Sequence, residues 1–270
     1  LSSKNIVTID REHIDKKITA LRISLDVTAM IEKLTARIRS TNSIMTILII
    51  CRVELIYLIH RLFFVMKVLQ RGAEAIIYLS KKDGETVVVK ERVKKGYRIP
   101  ELDMRIRHFR TRNEENLMLR AARAGVSVPK ILDRDEFRII MEYIDGRKLK
   151  DVFNTMPMEE RIKIYELLGD SIARMHQFGI IHGDLTTSNF ILKGDKLYVI
   201  DFGLGRFSKR IEDQATDIYL LYEAIKAAHF IYLNEAWQNI LNVYKQKYSN
   251  SKEVLERVEK ISKRRRYKGG

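Results

Sequence analysis

An α+β chain of two lobes, a small antiparallel sheet lobe followed by a mainly helical one, is what the sequence predicts. Three observations carry that expectation. Short β-branched runs crowd the stretch from Val68 to Val89, and apolar residues at three- and four-residue steps dominate after Met158. Residues 1–65 contain no glycine or proline, whereas all 13 glycines and 3 prolines of the chain fall later. That last contrast predicts a boundary near Met66, dividing an N-terminal extension over 1–65 from a main domain over 66–270.

Within the extension, Ile18, Leu21, Leu25, Thr28, Ile31 and Leu34 recur at helical spacing, which predicts an amphipathic helix with an apolar face to cover. The apolar stretch from Ile44 to Val65 is interrupted by Arg52, Glu54, His60 and Arg61. It therefore lacks the run of about 20 apolar residues that a membrane-spanning helix needs, and it reads as core or interface. No signal-peptide pattern opens the chain, so a cytoplasmic setting without membrane attachment is expected. A single cysteine, Cys51, excludes an intramolecular disulfide and a cysteine zinc cluster, and reads as a half-buried apolar thiol. The formal charge of +15 and pI near 9.8 point to a polyanionic neighbour such as RNA, an acidic partner or a phosphate-rich ligand.

From Met66 onward, Val68-Leu69, Ala75–Leu79 and Thr86–Val89 read as three strands, the last two joined by an Asp83-Gly84 turn. Helical texture runs from Thr111 to Ala124 and is stopped by Gly125. Ile139–Tyr143 reads as another strand. A long helix follows from about Met158 to Phe178, with Ile162, Tyr165, Leu168, Ile172 and Met175 on one stripe. Behind it a hairpin pairs Phe190–Leu192 with Leu197–Ile200 through a Gly194-Asp195 turn, and the remainder is helical with a basic tail.

The chemistry concentrates between His182 and Gly203. Phosphoryl transfer from ATP needs an aspartate to receive or orient the nucleophile's proton, and oxygen ligands to hold magnesium against the phosphates. In His182-Gly183-Asp184, Asp184 fits the first need; Asn189 and Asp201, in Asp201-Phe202-Gly203, fit the second. A short loop and then the hairpin return the chain so that all three can meet. Taken singly, each aspartate reads first as a turn or cap residue; the combined pattern matches a protein-kinase catalytic signature and predicts a two-lobed protein-kinase-like fold. Lys90, ending the third strand, is placed to reach the α and β phosphates, with Glu114 as its partner. Glu114 has a second reading, because Thr111-Arg112-Asn113-Glu114 also spells a capping box. No Gly-x-Gly-x-x-Gly loop is present; Gln70–Ala75, with one glycine, stands in its place, and it reads equally as a bulge. An Ala-Pro-Glu segment is absent and any activation loop is short, which argues against a regulated signalling kinase.

Several runs carry a more specific resemblance: Arg71–Ala75, Tyr97–Asp103, Arg110-Thr111, Ala124–Val126, His182–Asn189 with its threonine pair, and Asp201–Gly205. Over residues 66–270 the chain resembles the small atypical serine/threonine kinase subunit of the KEOPS complex, the PRPK family. The resemblance implies a protein kinase and ATPase using ATP and Mg2+. It would work beside a threonylcarbamoyltransferase subunit and small accessory subunits in making threonylcarbamoyladenosine in transfer RNA. Carried over position by position, it makes Asp184 catalytic, Asn189 and Asp201 metal ligands, Lys90 the phosphate contact and Glu114 its partner. Gly72, Ala73 and Glu74 would cover the phosphates, and Glu142 to Ile144 would form the adenine-side hinge. Residues 1–65 lie outside the pattern; Ile18–Leu25 resembles the dimerisation subunit of the same complex, which leaves a fused partner fragment as one reading. A small-molecule phosphotransferase of the aminoglycoside or choline kinase type shares His-Gly-Asp-Leu-x-x-x-Asn, but usually replaces the glycine after the second aspartate and carries a larger helical lobe. A non-catalytic nucleotide-binding scaffold is disfavoured by the intact Lys90, Asp184, Asn189 and Asp201.

Overall fold

The computed structural model describes residues 68–266. The readings made for the extension (its amphipathic helix, the Ile44–Val65 stretch and Cys51) and for the last four residues of the tail lie outside the described residues. The first lobe is a five-stranded antiparallel sheet built from β1 (Val68–Arg71), β2 (Ala75–Lys82), β3 (Glu85–Arg92), β4 (Ile131–Arg134) and β5 (Arg138–Glu142), in the order β1-β2-β3-β5-β4. The Asp83-Gly84 turn forms as the sequence suggests, both residues taking positive φ, the backbone that lets a two-residue hairpin follow the strand twist. Strand β4 gave no sequence signal, since Asp133 and Arg134 break its apolar run.

Along β3 the period of two separates Val87 and Val89 from Lys90 and Arg92, which share the opposite face; all four are buried. Helix α1 (Pro100–Arg123) covers that second face. It begins well before Thr111, because Pro100 at the first helical position needs no hydrogen-bond partner for its nitrogen, and Glu101 and Asp103 complement the helix dipole. The stretch from Arg105 to Arg110 hid this first half, being too basic to show an apolar stripe. Its end is a Schellman closure: Gly125 N–H donates to Ala122 O at 3.0 Å and Val126 N–H to Ala121 O at 3.0 Å, with Gly125 at φ +79°.

The second lobe opens with β6 (Arg147–Lys148), a short helix α2 (Leu149–Val152) and a 3₁₀ turn (Phe153–Thr155). Helix α3 (Met158–Gln177) runs through its centre. On its inward stripe Tyr165, Leu168, Ile172 and Met175 are buried as expected, but Ile164 holds the place expected of Ile162, which is only half-buried. Strands β7 (Ile180–Ile181), β8 (Phe190–Lys193), β9 (Lys196–Val199) and β10 (Arg206–Phe207) lie between α3 and α4 (Ile211–Ala228) in sequence. β8 and β9 form the expected hairpin, and β10 pairs with β7. Helices α5 (Leu233–Lys247) and α6 (Ser251–Arg266) complete the chain, α5 against α3 and α6 against α4. The core of this lobe joins Phe153, Leu168, Phe190, Val199, Leu221, Ile225 and Ile240. No helix among the described residues is long and apolar enough to cross a membrane.

Candidate active site

The run from His182 to Asn189 is held from below by α4. Asp217, fully buried, accepts the backbone N–H of His182 through Oδ2 and that of Gly183 through Oδ1, both at 2.7 Å. Gly183 sits at φ +79°, and a Cβ there would lie 2.3 Å from the Leu204 carbonyl oxygen, so no other residue fits between the two aspartate motifs without moving backbone. His182 is oriented by its ring: Nε2 lies 3.0 Å from Ile200 O, an obligate acceptor, so that nitrogen carries the proton and Nδ1 accepts the Asp184 N–H at 3.2 Å. Phe202 packs on this imidazole with centroids 4.8 Å apart. One buried ring thus ties the Asp184 motif to the Asp201 motif.

Asn189 ends a 3₁₀ turn (Thr187–Asn189), and its amide nitrogen donates to both Asp184 O and Asp184 Oδ2 at 2.9 Å. This assigns the amide, with Oδ1 as its acceptor. Asp201 sits at φ +64°, a left-handed backbone uncommon for a residue with a side chain and a form of strain concentrated at functional sites. Its Oδ1 accepts Lys90 Nζ at 2.6 Å and Gly203 N–H at 3.1 Å. Burial pushes the Asp201 carboxyl up, but the Lys90 charge and these hydrogen bonds outweigh it and hold it below the usual carboxylate range. Among the described residues no group of three His, Cys, Asp or Glu side chains could hold a metal. The donors expected from the sequence, two carboxylates and an amide oxygen, are hard oxygens of the kind that would suit magnesium if a ligand's phosphate oxygens completed the shell.

Lys90 bridges the lobes. Its ammonium lies 2.6 Å from both Glu114 Oε1 and Asp201 Oδ1. Burial would lower its pKa, but these two carboxylates hold it above the ordinary lysine value. The other Glu114 oxygen accepts Arg92 Nη2 at 2.6 Å. Glu114 lies mid-helix and is 1% exposed, so the capping-box reading of Thr111–Glu114 is wrong: Thr111 Oγ1 instead donates back to Arg107 O at 2.9 Å. Arg92 was not singled out from the sequence, although alternation along β3 places it on the Lys90 face.

Other expected residues are placed less directly. Gly72 closes the β1–β2 connection by donating to Ala75 O at 2.9 Å, and Ala73 O accepts Lys95 Nζ. Glu74 is engaged by Arg98 at 3.0 Å and Arg110 at 2.8 Å; burial pushes its carboxyl up, and those cations bring it below the usual range. Its carboxylate is therefore directed at α1 and the loop before it. Glu142 ends β5, its carboxylate accepting Lys130 N–H at 3.2 Å, and buried Ile144 lies in the link to β6. After Gly203 the chain passes directly through β10 into α4, the short segment that the sequence implied. Asp217 shows in the sequence only as an aspartate at the head of the apolar run Ile218–Leu221, where burial of its carboxylate is the signal to look for.

Fold and site together define a protein-kinase-like phosphotransferase of the atypical, RIO-related class. Residues 77–205 match the family described as RIO domain. The chain belongs to the family of the KEOPS complex subunit Bud32: it is 41% identical to that subunit from Pyrococcus abyssi over 213 residues, 75% of this chain and 97% of the relative. It is also 42% identical over 204 residues to the probable bifunctional tRNA threonylcarbamoyladenosine biosynthesis protein of Methanosarcina mazei, covering 74% of this chain but 36% of that protein. The chain thus spans little more than a third of the bifunctional relative. The Rio2 kinase–ADP/Mg2+–phosphoaspartate complex from Chaetomium thermophilum shares the fold, with a TM-score of 0.51 at 15% identity over 76% of this chain and 72% of the other.

Proposed function

We propose that this chain is an Mg2+-dependent ATP phosphotransferase, an atypical serine/threonine protein kinase and ATPase that supports threonylcarbamoyladenosine modification of transfer RNA within a KEOPS-like complex. What supports the reading is that Lys90 of β3 meets Asp201 at 2.6 Å, while the loop carrying Asp184 and Asn189 is joined to the Asp201 run by the Ile200 N–H to Asn189 O bond and by the packing of His182 on Phe202. Asp184, fixed by Asn189, orients the attacking hydroxyl or water and takes its proton. Asn189 Oδ1 and Asp201 would hold the magnesium. Magnesium, when bound, neutralises phosphate charge and favours phosphoryl transfer. Lys90 then exchanges its Asp201 contact for the α and β phosphates while Glu114 keeps it aimed. Gly72 to Glu74 cover the phosphates, and Glu142 to Ile144 border the adenine.

Membership of the Bud32 family and the bifunctional tRNA threonylcarbamoyladenosine biosynthesis relatives support work within a KEOPS-like complex. A threonylcarbamoyltransferase, small accessory subunits and a cytoplasmic setting are part of the same proposal. For the RNA, exposed Lys260, Lys263 and Arg264 on α6 continue into the basic tail, where Tyr267 adds a base-stacking side chain. ATP turnover by the full chain, alone and then with transfer RNA and candidate partner subunits, tests the assignment. Stimulation by RNA and partners is expected; stimulation by an aminoglycoside or choline instead would move the activity to the small-molecule class.

The domain division is part of the same reading. A chain starting at Met66 should fold and hydrolyse ATP at a rate near that of the full protein, because every proposed site residue lies beyond it and the Pyrococcus relative matches 97% of its own length. A thermal melt and an ATPase assay check this. An insoluble or inactive product would make the Ile44–Val65 stretch part of the kinase core.

A further inference from the structure

Thr187, the second threonine of the pair between Asp184 and Asn189, has no part in the roles assigned so far, yet it is 2% exposed. Its hydroxyl lies 2.9 Å from Nε2 of His229, the C-cap residue that follows α4, and His229 is equally buried. The other ring nitrogen, Nδ1, lies 2.7 Å from Asn154 Oδ1. Asn154 Nδ2 donates to Ala228 O at 3.2 Å, which assigns the amide and leaves Oδ1 facing the ring. An amide oxygen only accepts, so Nδ1 carries the proton, Nε2 is bare, and the Thr187 hydroxyl donates to it. The imidazole also stacks on Phe153 at 4.2 Å and 24° between planes, and burial holds its pKa below the ordinary histidine value. The ring is therefore neutral and fixed on three sides.

We propose that His229, held by Asn154 and Phe153, is a positioning residue that locks the Thr187–Asn189 turn so that Asn189 presents its amide oxygen to the metal. This rests on the reading of Asn189 as a ligand. Within the loop the turn is held by the Asn189 N–H to Thr186 O bond at 2.9 Å and by the Asn189 amide on Asp184. Ile200 N–H, just past β9, donates to Asn189 O at 2.9 Å and ties the turn to the Asp201 run. The Thr187–His229 bond adds the tie to the helices, reaching a residue 42 positions away, so it helps set where the loop sits relative to the helix bundle.

Three variants of the full chain separate this role from simple packing. Thr187→Val keeps the shape and removes the hydroxyl, Thr187→Ser keeps the hydroxyl, and His229→Phe keeps the stack on Phe153 and removes both ring nitrogens. The readouts are the Mg2+ concentration giving half-maximal ATP turnover, turnover at saturating Mg2+, ATP binding with and without Mg2+ by calorimetry, and the melting temperature. Losing one neutral hydrogen bond changes an equilibrium by about five- to tenfold. Thr187→Val and His229→Phe should therefore raise the half-saturating Mg2+ concentration by about that factor, with turnover at saturation within about threefold of the parent. Thr187→Ser should restore the parent Mg2+ dependence, and the Val/Phe double variant should be no worse than the worse single. A lower melting temperature with unchanged Mg2+ dependence would overturn the proposal, as would Thr187→Ser behaving like Thr187→Val. If His229→Phe does not fold, the two Thr187 variants decide it alone. A parent protein that neither binds nor turns over ATP with Mg2+ removes the ligand reading of Asn189 and this inference with it. Normal parent activity that the variants leave unmoved sinks this inference alone.

Discussion

Asp184→Asn is expected to lower ATP turnover by about 10²- to 10⁴-fold, on the order of 3–5 kcal/mol of barrier, while Mg2+-dependent ATP binding stays near that of the parent protein. The separation follows from geometry. Asp184 Oδ2 is bonded to the Asn189 amide, and an asparagine oxygen at the same place can still accept that bond. What is lost is the negative charge that receives the nucleophile's proton. Single-turnover kinetics beside calorimetric binding measure the two quantities separately. Unchanged turnover would remove Asp184 from the chemistry; lost binding would make it a ligand instead.

Glu114→Ala should have the largest effect on stability. Glu114 is shared by two buried cations, Lys90 and Arg92, each at 2.6 Å. Among the described residues, removing it leaves Arg92 with the Arg110 carbonyl at 3.4 Å, and Lys90 with Asp201. Breaking a buried pair from one side typically costs about 3–5 kcal/mol, because the remaining charge stays desolvated. For a domain of this size that corresponds to a fall in melting temperature on the order of 10 °C. Adding Arg92→Leu should recover part of the loss, since the uncompensated cation is then gone. A Glu114→Ala protein that melts like the parent would show that the pair contributes nothing to the fold.

What the sequence made legible, and what it did not, divides along physical lines. The strands β2 and β3 and the hairpin of β8 and β9 were readable because β-branched runs and turn residues are local signals. The motif residues were readable because phosphoryl transfer restricts both residue type and spacing. The first half of α1 was not, since a helix buried through Asp103, Thr111 and Glu114 shows no apolar stripe. Strands β6, β7 and β10, two residues each, exist only through their partners and leave no pattern. The support of the site was hidden for a similar reason. Asp217, Arg92 and His229 act through residues distant in sequence, and each looks alone like an ordinary polar residue. Burial identifies them, and burial is a property of the fold.

If Lys90, Asp184, Asn189 and Asp201 form one Mg2+-dependent ATP site, a titration of Mg2+ against ATP binding will separate the parent chain from Asp201→Ala. The parent should bind ATP tightly only when Mg2+ is present, and Asp201→Ala should lose this dependence while its weak Mg2+-free binding persists. Equal Mg2+ dependence in the two proteins, or no ATP binding by the parent at any Mg2+ concentration, would mean that these residues form no such site.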